Sequence, residues 1–505
     1  MTAPAPDLIA TMPPPPERSF ASDNAAGAHP AVVEAVVAAN QGHALAYGSD
    51  DYTSRCEERF RELFDADVTT RLAYNGTGAN IVALATMMAS RPGPHQAVIC
   101  SEWAHINVDE TGAPERILAT KLIDLPSPDA KLTPEQIRDQ AHVQGVVHHA
   151  QPGIVSITQP TELGTLYSID EIRAVCDTAH DMGLLVHVDG ARIANATAAL
   201  GGTRETLRAM TIEAGVDAIS FGGTKIGALG AEAVVFLNPE VATGSEFIRK
   251  QVTQLASKMR YLAAQFNALL TDDLWLQLGI GANSLAQNLH AEVAGMSGIV
   301  AGPAPGVNSI FPCLAPDLIK PLQEWSFFWD WDPSINQVRW MTGWDTTSDD
   351  VAAFAAVNPA WENAAAWTTL RESASWPEAF PRTAVAWSNW RRYVASEEGE
   401  EVDPATLRPY GFTYSMLYHD LLALPAERLE ALGAVDDASA PLFAGLAEAL
   451  PDFPAGDYRE RFIDIDEGWG ELGNWRAIKR LSPPITDGYF LAAVDAERTA
   501  DGIGM

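Results

Sequence analysis

Residues 184–192, LLVHVDGAR, constrain the fold of this chain more than any other stretch. A mostly apolar run from Leu184 to Val188 ends at Asp189, and two small residues follow it. Such a run is typical of a strand that is buried on both faces in a parallel sheet. In open α/β sheets, ligands bind at the carboxyl ends of the strands. Because a buried carboxylate needs a cation or hydrogen bonds nearby, we expect Asp189 to serve a cationic partner.

A second strand pattern supplies a candidate for that cation. Residues 216–221, VDAISF, predict a strand, and a Gly-Gly-Thr turn leads from it to Lys225. A lysine after a strand, facing a buried aspartate, indicates a pyridoxal phosphate (PLP) site. The lysine would form a Schiff base with the cofactor aldehyde, and the carboxylate would keep the pyridine nitrogen protonated. The alternative is two ordinary polar residues at strand ends, because single motifs often match by coincidence.

The surrounding sequence alternates between strand and helix patterns. Residues 96–100 and 154–158 predict apolar strands, residues 169–181 an amphipathic helix and residues 247–270 a long helix. Strand, helix and strand at this spacing predict right-handed crossovers and a mostly parallel sheet. From about residue 307 the pattern changes to alternating strands, which predicts a smaller α+β domain.

Residues 75–80, NGTGAN, open a predicted buried helix with a glycine-rich turn. The N–H groups of Gly76, Thr77 and Gly78 at a helix start form a candidate phosphate site. The turn has neither the lysine of a Walker A loop nor the GxGxxG spacing, so a nucleotide is not indicated. An ordinary tight turn is the alternative.

Three further polar residues lie on or after predicted strands. His105 follows residues 96–100, where an imidazole could lie flat on an aromatic cofactor, but the local sequence favours a structural hydrogen bond as its role. Glu162 follows the strand at residues 154–158. Arg339 lies on a predicted strand, where it would grip a carboxylate with two hydrogen bonds or occupy the surface.

Composition and charge exclude several classes of partner. The 505 residues carry a net charge of −33, which argues against binding to nucleic acid or an anionic membrane. The hydrophobic fraction of 47% is that of a soluble globular protein, and no apolar run is long enough to span a bilayer. The four cysteines are widely spaced without a CxxC motif, which predicts reduced thiols in a cytoplasmic protein and no metal site.

The length allows two or three domains. We expect a disordered leader at residues 1–18, because this Pro/Ala-rich start lacks the basic and apolar regions of a secretory signal. A large PLP-binding domain would span residues 19–290 and a small α+β domain residues 291–357. Residues 358–505 would form a mainly helical C-terminal extension, which would shape the substrate entrance, join subunits or bind a partner.

Taken together, these motifs resemble the low-specificity L-threonine aldolases, a family of PLP enzymes of fold type I. The matching stretches span about residues 20–354 in the family's order, and their joint match is far more specific than any one of them. The resemblance implies an α/β fold with a mostly parallel large domain and a small α+β domain. The stretches are SFASDN, NQGHALAYG, NGTGAN, AHINVDE, SITQPTELGTLY, HVDGARIANA, SFGGTKIG and VRWMTGWDTTSDDV.

The resemblance also implies roles for the matched residues. Lys225 is similar to the Schiff-base lysine, Asp189 to the pyridinium partner, and His105 to an imidazole that stacks on the ring. Arg192 would flank the cofactor's phenolic oxygen, and Arg260 would touch the phosphate or the neighbouring subunit's site. The implied cofactor-binding set is Gly76, Thr77, Gly78, His105, Asp189, Arg192, Lys225 and Arg260, and the implied substrate-binding set is Ser22, Asp23, Tyr47 and Arg339.

The implied reaction is the cleavage of L-threonine or a related β-hydroxy-α-amino acid to glycine and an aldehyde. His105 or Glu162 would act as the base, directly or through water. Some family members carry histidine in place of Glu162, so the identity of the base stays open. A β-eliminating lyase and a transaldolase are alternatives within PLP chemistry, and a non-catalytic PLP-fold binding module is an alternative outside it. Because family members are dimers or tetramers with sites at the subunit boundary, we expect a homo-oligomer.

Overall fold

The structure is a computed structural model that describes residues 14–91, 96–296, 299–314 and 316–356. The predicted C-terminal extension at residues 358–505 and most of the predicted leader lie outside the described residues. Among the described residues, no helix combines the length and apolar character needed to cross a bilayer.

A seven-stranded sheet forms the centre of the large domain, in the spatial order β1-β7-β6-β5-β4-β2-β3. Five neighbouring strands, from β6 to β3, are parallel, whereas β7 is antiparallel to both β6 and β1. The mostly parallel sheet predicted from the alternation of elements is therefore confirmed. The strands are β1 (Thr69–Ala73), β2 (Gln96–Ser101), β3 (Lys121–Leu125), β4 (Gln151–Thr158), β5 (Leu185–Gly190), β6 (Ala218–Gly222) and β7 (Glu232–Phe236).

Helices cover both faces of this sheet because alternate strand residues point to opposite sides. On β4, Val155 belongs to one hydrophobic cluster, which also holds Phe60 and Trp275, while its neighbour Ile154 belongs to the other. The helices are α1 (Pro30–Ala39), α2 (Asp51–Phe64), α3 (Gly76–Ala89), α4 (His105–Val108), α5 (Ala113–Leu118), α6 (Pro134–Asp139), α7 (Ile169–Asp181), α8 (Ile193–Leu200), α9 (Arg204–Met210), α10 (Ser245–Gln251), α11 (Arg260–Leu269) and α12 (Leu274–Val293).

The predicted long helix at residues 247–270 is wrong, because the structure divides it into α10 and α11. Between them, Thr253 has a φ of +64°, a left-handed conformation that a helix cannot contain. The next side chain, Gln254, reaches back to accept a hydrogen bond from the backbone N–H of Tyr74 at 2.9 Å. A long-range contact therefore decides a break that the local helical pattern does not show.

The small domain is an antiparallel sheet with two helices, and its presence confirms the α+β domain of the predicted fold class. Its core contains Trp340 and Phe354 together with Leu289 of α12. Helix α14 begins after Thr347, whose side chain caps it by accepting a hydrogen bond from the backbone N–H of Asp350. The elements are β8 (Ile299–Val300), β9 (Ser309–Ile310), β10 (Cys313–Leu314), α13 (Pro316–Trp325), β11 (Trp329–Asp332), β12 (Gln337–Met341) and α14 (Ser348–Ala355).

The N-terminal segment at residues 17–24 packs on this small domain. Phe20 is fully buried there, with its ring centroid 4.7 Å from that of Phe354. The Phe20 carbonyl accepts a hydrogen bond from the Met341 N–H at 2.9 Å, and Arg18 Nη1 lies 3.2 Å from Asp350 Oδ2. These contacts fix the direction in which the chain continues to Asp23.

We expect Phe20→Ala to lower the free energy of unfolding by about 3–5 kcal/mol, because the substitution leaves a cavity in the small-domain core. Urea unfolding followed by tryptophan fluorescence measures the change. The matched control is Val37→Ala on α1, where the side chain is 61% exposed and the expected change is within about 0.5 kcal/mol. Equal effects of the two substitutions would contradict the burial of Phe20.

Candidate active site

The candidate site lies where β4, β5 and β6 end, at the carboxyl edge of the parallel strands. Asp189 is the penultimate residue of β5, Lys225 follows β6 by three residues, and Glu162 follows β4 by four. Since β5 pairs with both β4 and β6, the three side chains come from neighbouring strands. The strand patterns of the sequence anticipated this convergence.

Asp189 is almost completely buried and is held by two hydrogen bonds. Its Oδ2 accepts from Asn80 Nδ2 at 2.8 Å, and its Oδ1 accepts from the backbone N–H of Ala191 at 3.0 Å. The structure therefore places a rigid acidic group at the end of β5, as a partner for a cationic ring nitrogen requires.

Lys225 lies on the short turn Thr224–Ile226, and two glycines hold this turn in place. A Cβ on Gly222 would overlap the backbone of Ala191, and one on Gly223 would overlap the carbonyl of Ala231. Burial lowers the pKa of the Lys225 amine, and the nearby Arg192 guanidinium lowers it further against the opposing charges of the surrounding carboxylates. A larger fraction of the amine is therefore neutral, the form that attacks a carbonyl.

The first turn of α3 contains the three residues that are predicted to bind the phosphate. Asn75 caps the helix by accepting a hydrogen bond from the Gly78 N–H at 2.7 Å. The N–H groups of Gly76 and Thr77 lie in the first helical turn, where backbone N–H groups have no partner within the helix. The Gln254 side chain lies against Gly78, where a Cβ would overlap its amide.

Arg192 and Asp23 form a bidentate ion pair at this edge. Arg192 Nε donates to Asp23 Oδ2 at 2.6 Å and Nη2 donates to Oδ1 at 3.1 Å. Asn308 Nδ2 adds a third bond to Asp23 at 3.1 Å. Burial by itself raises the pKa of Asp23, but the charges of Arg192 and Lys225 outweigh burial and hold the pKa below its usual value.

Arg339 is placed on β12 with its guanidinium 5.2 Å from the ring centroid of Trp331. Its Nε is buried without a hydrogen-bond partner among the described residues. Burial lowers the pKa of Arg339, and the Arg192 charge nearby lowers it further. A cation in these surroundings is suited to bind an anion.

His105 begins α4 and connects two carboxylates. Its backbone N–H donates to Glu162 Oε1 at 2.7 Å, and its Nδ1 lies 3.1 Å from Glu110 Oε1. Thr158 Oγ1 also donates to Glu162 Oε1, at 3.0 Å, whereas Glu162 Oε2 is buried without a partner among the described residues. Burial raises the pKa of Glu162 to about 7.

The structure does not bring all predicted site residues together. Tyr47 is half-exposed, with Lys250 Nζ 5.0 Å from its ring centroid, and Arg260 donates to the Gly42 carbonyl at 3.2 Å. Neither has a hydrogen bond or ion pair with the other predicted site residues in the described part of the chain. Ser22 Oγ accepts from the Asn24 N–H at 3.2 Å, a local turn contact next to Asp23.

Sequence reasoning missed Asn80, Glu110 and Glu232. The first two stand inside the NGTGAN and AHINVDE motifs, and that position was the only available signal. Glu232 opens β7, and its Oε2 accepts from the Gly223 N–H at 2.9 Å beside the lysine turn. No group of three or more potential metal ligands occurs among the described residues.

Comparison with known proteins identifies the family. The model of the beta-eliminating lyases matches residues 19–305. The chain is 40% identical over 342 residues to the low-specificity L-threonine aldolase of Pseudomonas sp. strain NCIMB 10558, covering 67% of this chain and 96% of the relative. The corresponding Pseudomonas aeruginosa protein gives 40% over 343 residues, with the same coverage. The chain belongs to the low-specificity L-threonine aldolase family.

The fold comparison agrees with this threonine aldolase family assignment. The structure of Leishmania major threonine aldolase aligns with a TM-score of 0.62 and 27% identity, covering 67% of this chain and 98% of that one. The predicted fold type I architecture and the predicted dependence on PLP, which characterises the family, are thereby confirmed. The protein is a carbon–carbon lyase by family.

The residues of the site fit this cofactor. A lysine amine shifted towards its neutral form, an acidic group on the adjacent strand and a helix start for a phosphate lie at one edge of the sheet. The amine is chemically suited to the cofactor's aldehyde, the acidic group to its pyridine nitrogen and the helix start to its phosphate. The individual assignments of these residues remain predictions.

We expect Glu232→Gln to change how stability depends on pH. Burial raises the pKa of Glu232 from an ordinary value of 4.5 to about 7 in the fold. Its contribution to stability is therefore present below the ordinary pKa and lost as pH rises towards the folded value. Between about pH 5 and about pH 8 the variant should gain up to about 3 kcal/mol relative to the wild type, since a tenfold change in proton affinity corresponds to about 1.4 kcal/mol.

Urea unfolding at several pH values measures this difference. Glu171→Gln is the control, because the neighbouring Lys131 and Ser168 hold the pKa of that exposed carboxyl below its usual value despite opposing burial. Its removal should shift the pH dependence in the opposite direction. A pH dependence of Glu232→Gln identical to that of the wild type would contradict the raised pKa.

Proposed function

We propose that this protein cleaves L-threonine, L-allo-threonine or related β-hydroxy-α-amino acids to glycine and an aldehyde. The observation that carries the proposal is the placement of Lys225 and Asp189 at the carboxyl ends of adjacent parallel strands, with Glu162 after the next strand. The curated relatives that carry the same activity in their names support it over nearly their whole length.

The residues would divide the binding of the cofactor among them. Lys225 would hold its aldehyde carbon, Asp189 its pyridine nitrogen, and the first turn of α3 its phosphate. When bound, PLP supplies an electron sink for the pair released as the substrate Cα–Cβ bond breaks. Arg192, fixed by Asp23, would flank the phenolic oxygen, and His105 would stack on the ring.

Arg339 would bind the substrate carboxylate. The charge of Arg192 acts on Arg339, whose Nε lacks an acceptor among the described residues, so an added carboxylate would satisfy both charge and hydrogen bonding. Asp23 accepts hydrogen bonds from Arg192 of the large domain and from Asn308 of the small domain. This link would hold the carboxylate site at a fixed position relative to the cofactor site.

Glu162 is the better candidate for the base that takes the β-hydroxyl proton. Because the pKa of Glu162 is about 7, a large fraction of this carboxyl is ionised at neutral pH. The ionised form still binds a proton readily, and this combination favours acid–base catalysis. Within the part of the chain that the structure describes, its Oε2 has no hydrogen-bond partner that would compete for that proton. His105 suits the role less, since the hydrogen bond with Glu110 raises its pKa and favours the imidazolium form.

Product analysis tests the activity. Purified protein loaded with PLP and given L-threonine should yield equal amounts of glycine and acetaldehyde, whereas Lys225→Ala should yield neither above background. Ammonia with a keto acid would indicate β-elimination. Transfer of the glycine unit to an added aldehyde without free glycine would indicate a transaldolase, and a PLP-bound but inert protein would indicate a binding module.

We expect Glu162→Gln to lower kcat/KM by about 10²–10⁴-fold and to remove the acidic limb of its pH profile near about pH 7. The reason is that ionised Glu162 accepts the proton, so activity should rise as this carboxyl loses its own. Steady-state assays across pH provide the measurement. His105→Gln is the matched variant and should keep the limb, while loss of the limb in that variant alone would assign the base to His105.

We further infer a cytoplasmic homo-oligomer, either a dimer or a tetramer. Leu45, Tyr47, Leu229 and Phe247 are more than half exposed, and such large apolar side chains are suited to an interface. Tyr47 contacts Lys250 and Arg260 donates to the Gly42 carbonyl, contacts that leave both residues free to complete a neighbour's site. A single-chain mass in sedimentation velocity would contradict the oligomer, and cell fractionation tests the location.

A further inference from the structure

A buried amide joins two carboxylates at the edge of the site. Asn80, on α3, donates through Nδ2 to Asp189 Oδ2 at 2.8 Å and to Glu110 Oε1 at 2.9 Å. An amide nitrogen has two hydrogens, so these bonds use both of them. The reverse orientation would place the amide oxygen against two acceptors, so the carboxylates determine which way the amide faces.

Glu110 extends this network to His105. The Glu110 side chain is fully buried, and the oxygen that accepts from Asn80 also lies 3.1 Å from His105 Nδ1. A carboxylate oxygen offers only lone pairs, and it can accept from two N–H groups at once. His105 Nδ1 must therefore be the donor, and Nε2 is left as the ring nitrogen that gains or loses a proton.

We propose that Asn80 and Glu110 are positioning residues that hold His105 in its Nδ1–H tautomer and connect its charge to the Asp189 carboxylate. Neither residue needs to touch the substrate for this role. The two act in series, because Asn80 orients Glu110 and Glu110 orients the imidazole.

The charges around His105 determine the consequence of breaking this series. Glu110 and Asp189 favour the imidazolium, Lys225 opposes it, and Glu162 accepts from the His105 backbone N–H. The hydrogen bond with Glu110 makes the largest contribution and, together with the two carboxylate charges, raises the pKa of His105 against burial and Lys225. Removing the Glu110 charge while keeping an acceptor should therefore lower this pKa without reversing the tautomer.

Nitrogen NMR of the full-length protein with ¹⁵N-labelled histidine tests this directly, both with and without PLP. The His105 signals are those absent from a His105→Gln sample. The wild type should show the Nδ1–H tautomer when neutral. In Glu110→Gln the tautomer should remain and the His105 pKa should fall by about one pH unit, because the glutamine carbonyl still accepts but carries no charge.

Two further variants separate positioning from general damage. Asn80→Ala should leave a mixture of His105 tautomers, because Glu110 loses the donor that orients it. Glu115→Gln, which removes a carboxylate that accepts from the backbone N–H of Leu122 at 3.2 Å, should leave both the tautomer and the pKa of His105 unchanged. An Nε2–H tautomer in the wild type, or an unchanged His105 pKa in Glu110→Gln, would overturn the proposal.

The kinetic consequence rests on the proposed function, whereas the tautomer does not. If threonine is cleaved, Glu110→Gln should reduce kcat while changing KM little, because His105 would act on the cofactor ring and not on the substrate carboxylate. A wild type that shows the tautomer without cleaving threonine refutes only the function. One that cleaves threonine with the opposite tautomer refutes only the positioning role.

Discussion

The structure depends on a carboxylate buried at the end of a hydrophobic strand. Asp189 ends a run that packs on both faces, where removing one partner of a buried charge costs about 3–5 kcal/mol. The surroundings offset this cost with the amide of Asn80, the N–H of Ala191 and the charge of Lys225 nearby. Each compensating group comes from a different element, so the fold must assemble α3, β5 and the turn after β6 before the charge is stable.

The same principle connects the two domains. Asp23 is buried, and the charges of Arg192 and Lys225, with hydrogen bonds from Arg192 and Asn308, hold its pKa below the usual value against this burial. The segment that carries Asp23 is itself packed on the small domain through Phe20. Electrostatic compensation at the site thus positions the small domain, and with it Arg339, relative to the large sheet.

The places where sequence reasoning worked share a physical cause. The ends of the strands could be located because each apolar run stops abruptly. The carboxyl ends of parallel strands lie at the same edge of the sheet, so the residues at these ends, Asp189, Lys225 and Glu162, lie at that edge. Reasoning failed where a distant contact overrides the local pattern, as at Thr253 and Gln254, and where the partner is remote in sequence, as for Asn80 and Asp189, which are 109 residues apart.

The sequence by itself determined the class of fold, the family and the three strand-end residues, because hydrophobic periodicity and motif order are local properties that need no coordinates. Only the tertiary structure decided that Asn80 and Glu110 connect Asp189 to His105, that burial raises the pKa of Glu162 to about 7, and that Tyr47 and Arg260 contact residues outside the predicted set. The reason is that proton affinity and hydrogen-bond partnership depend on burial and on distances between atoms, and packing sets both between residues that no sequence window contains together.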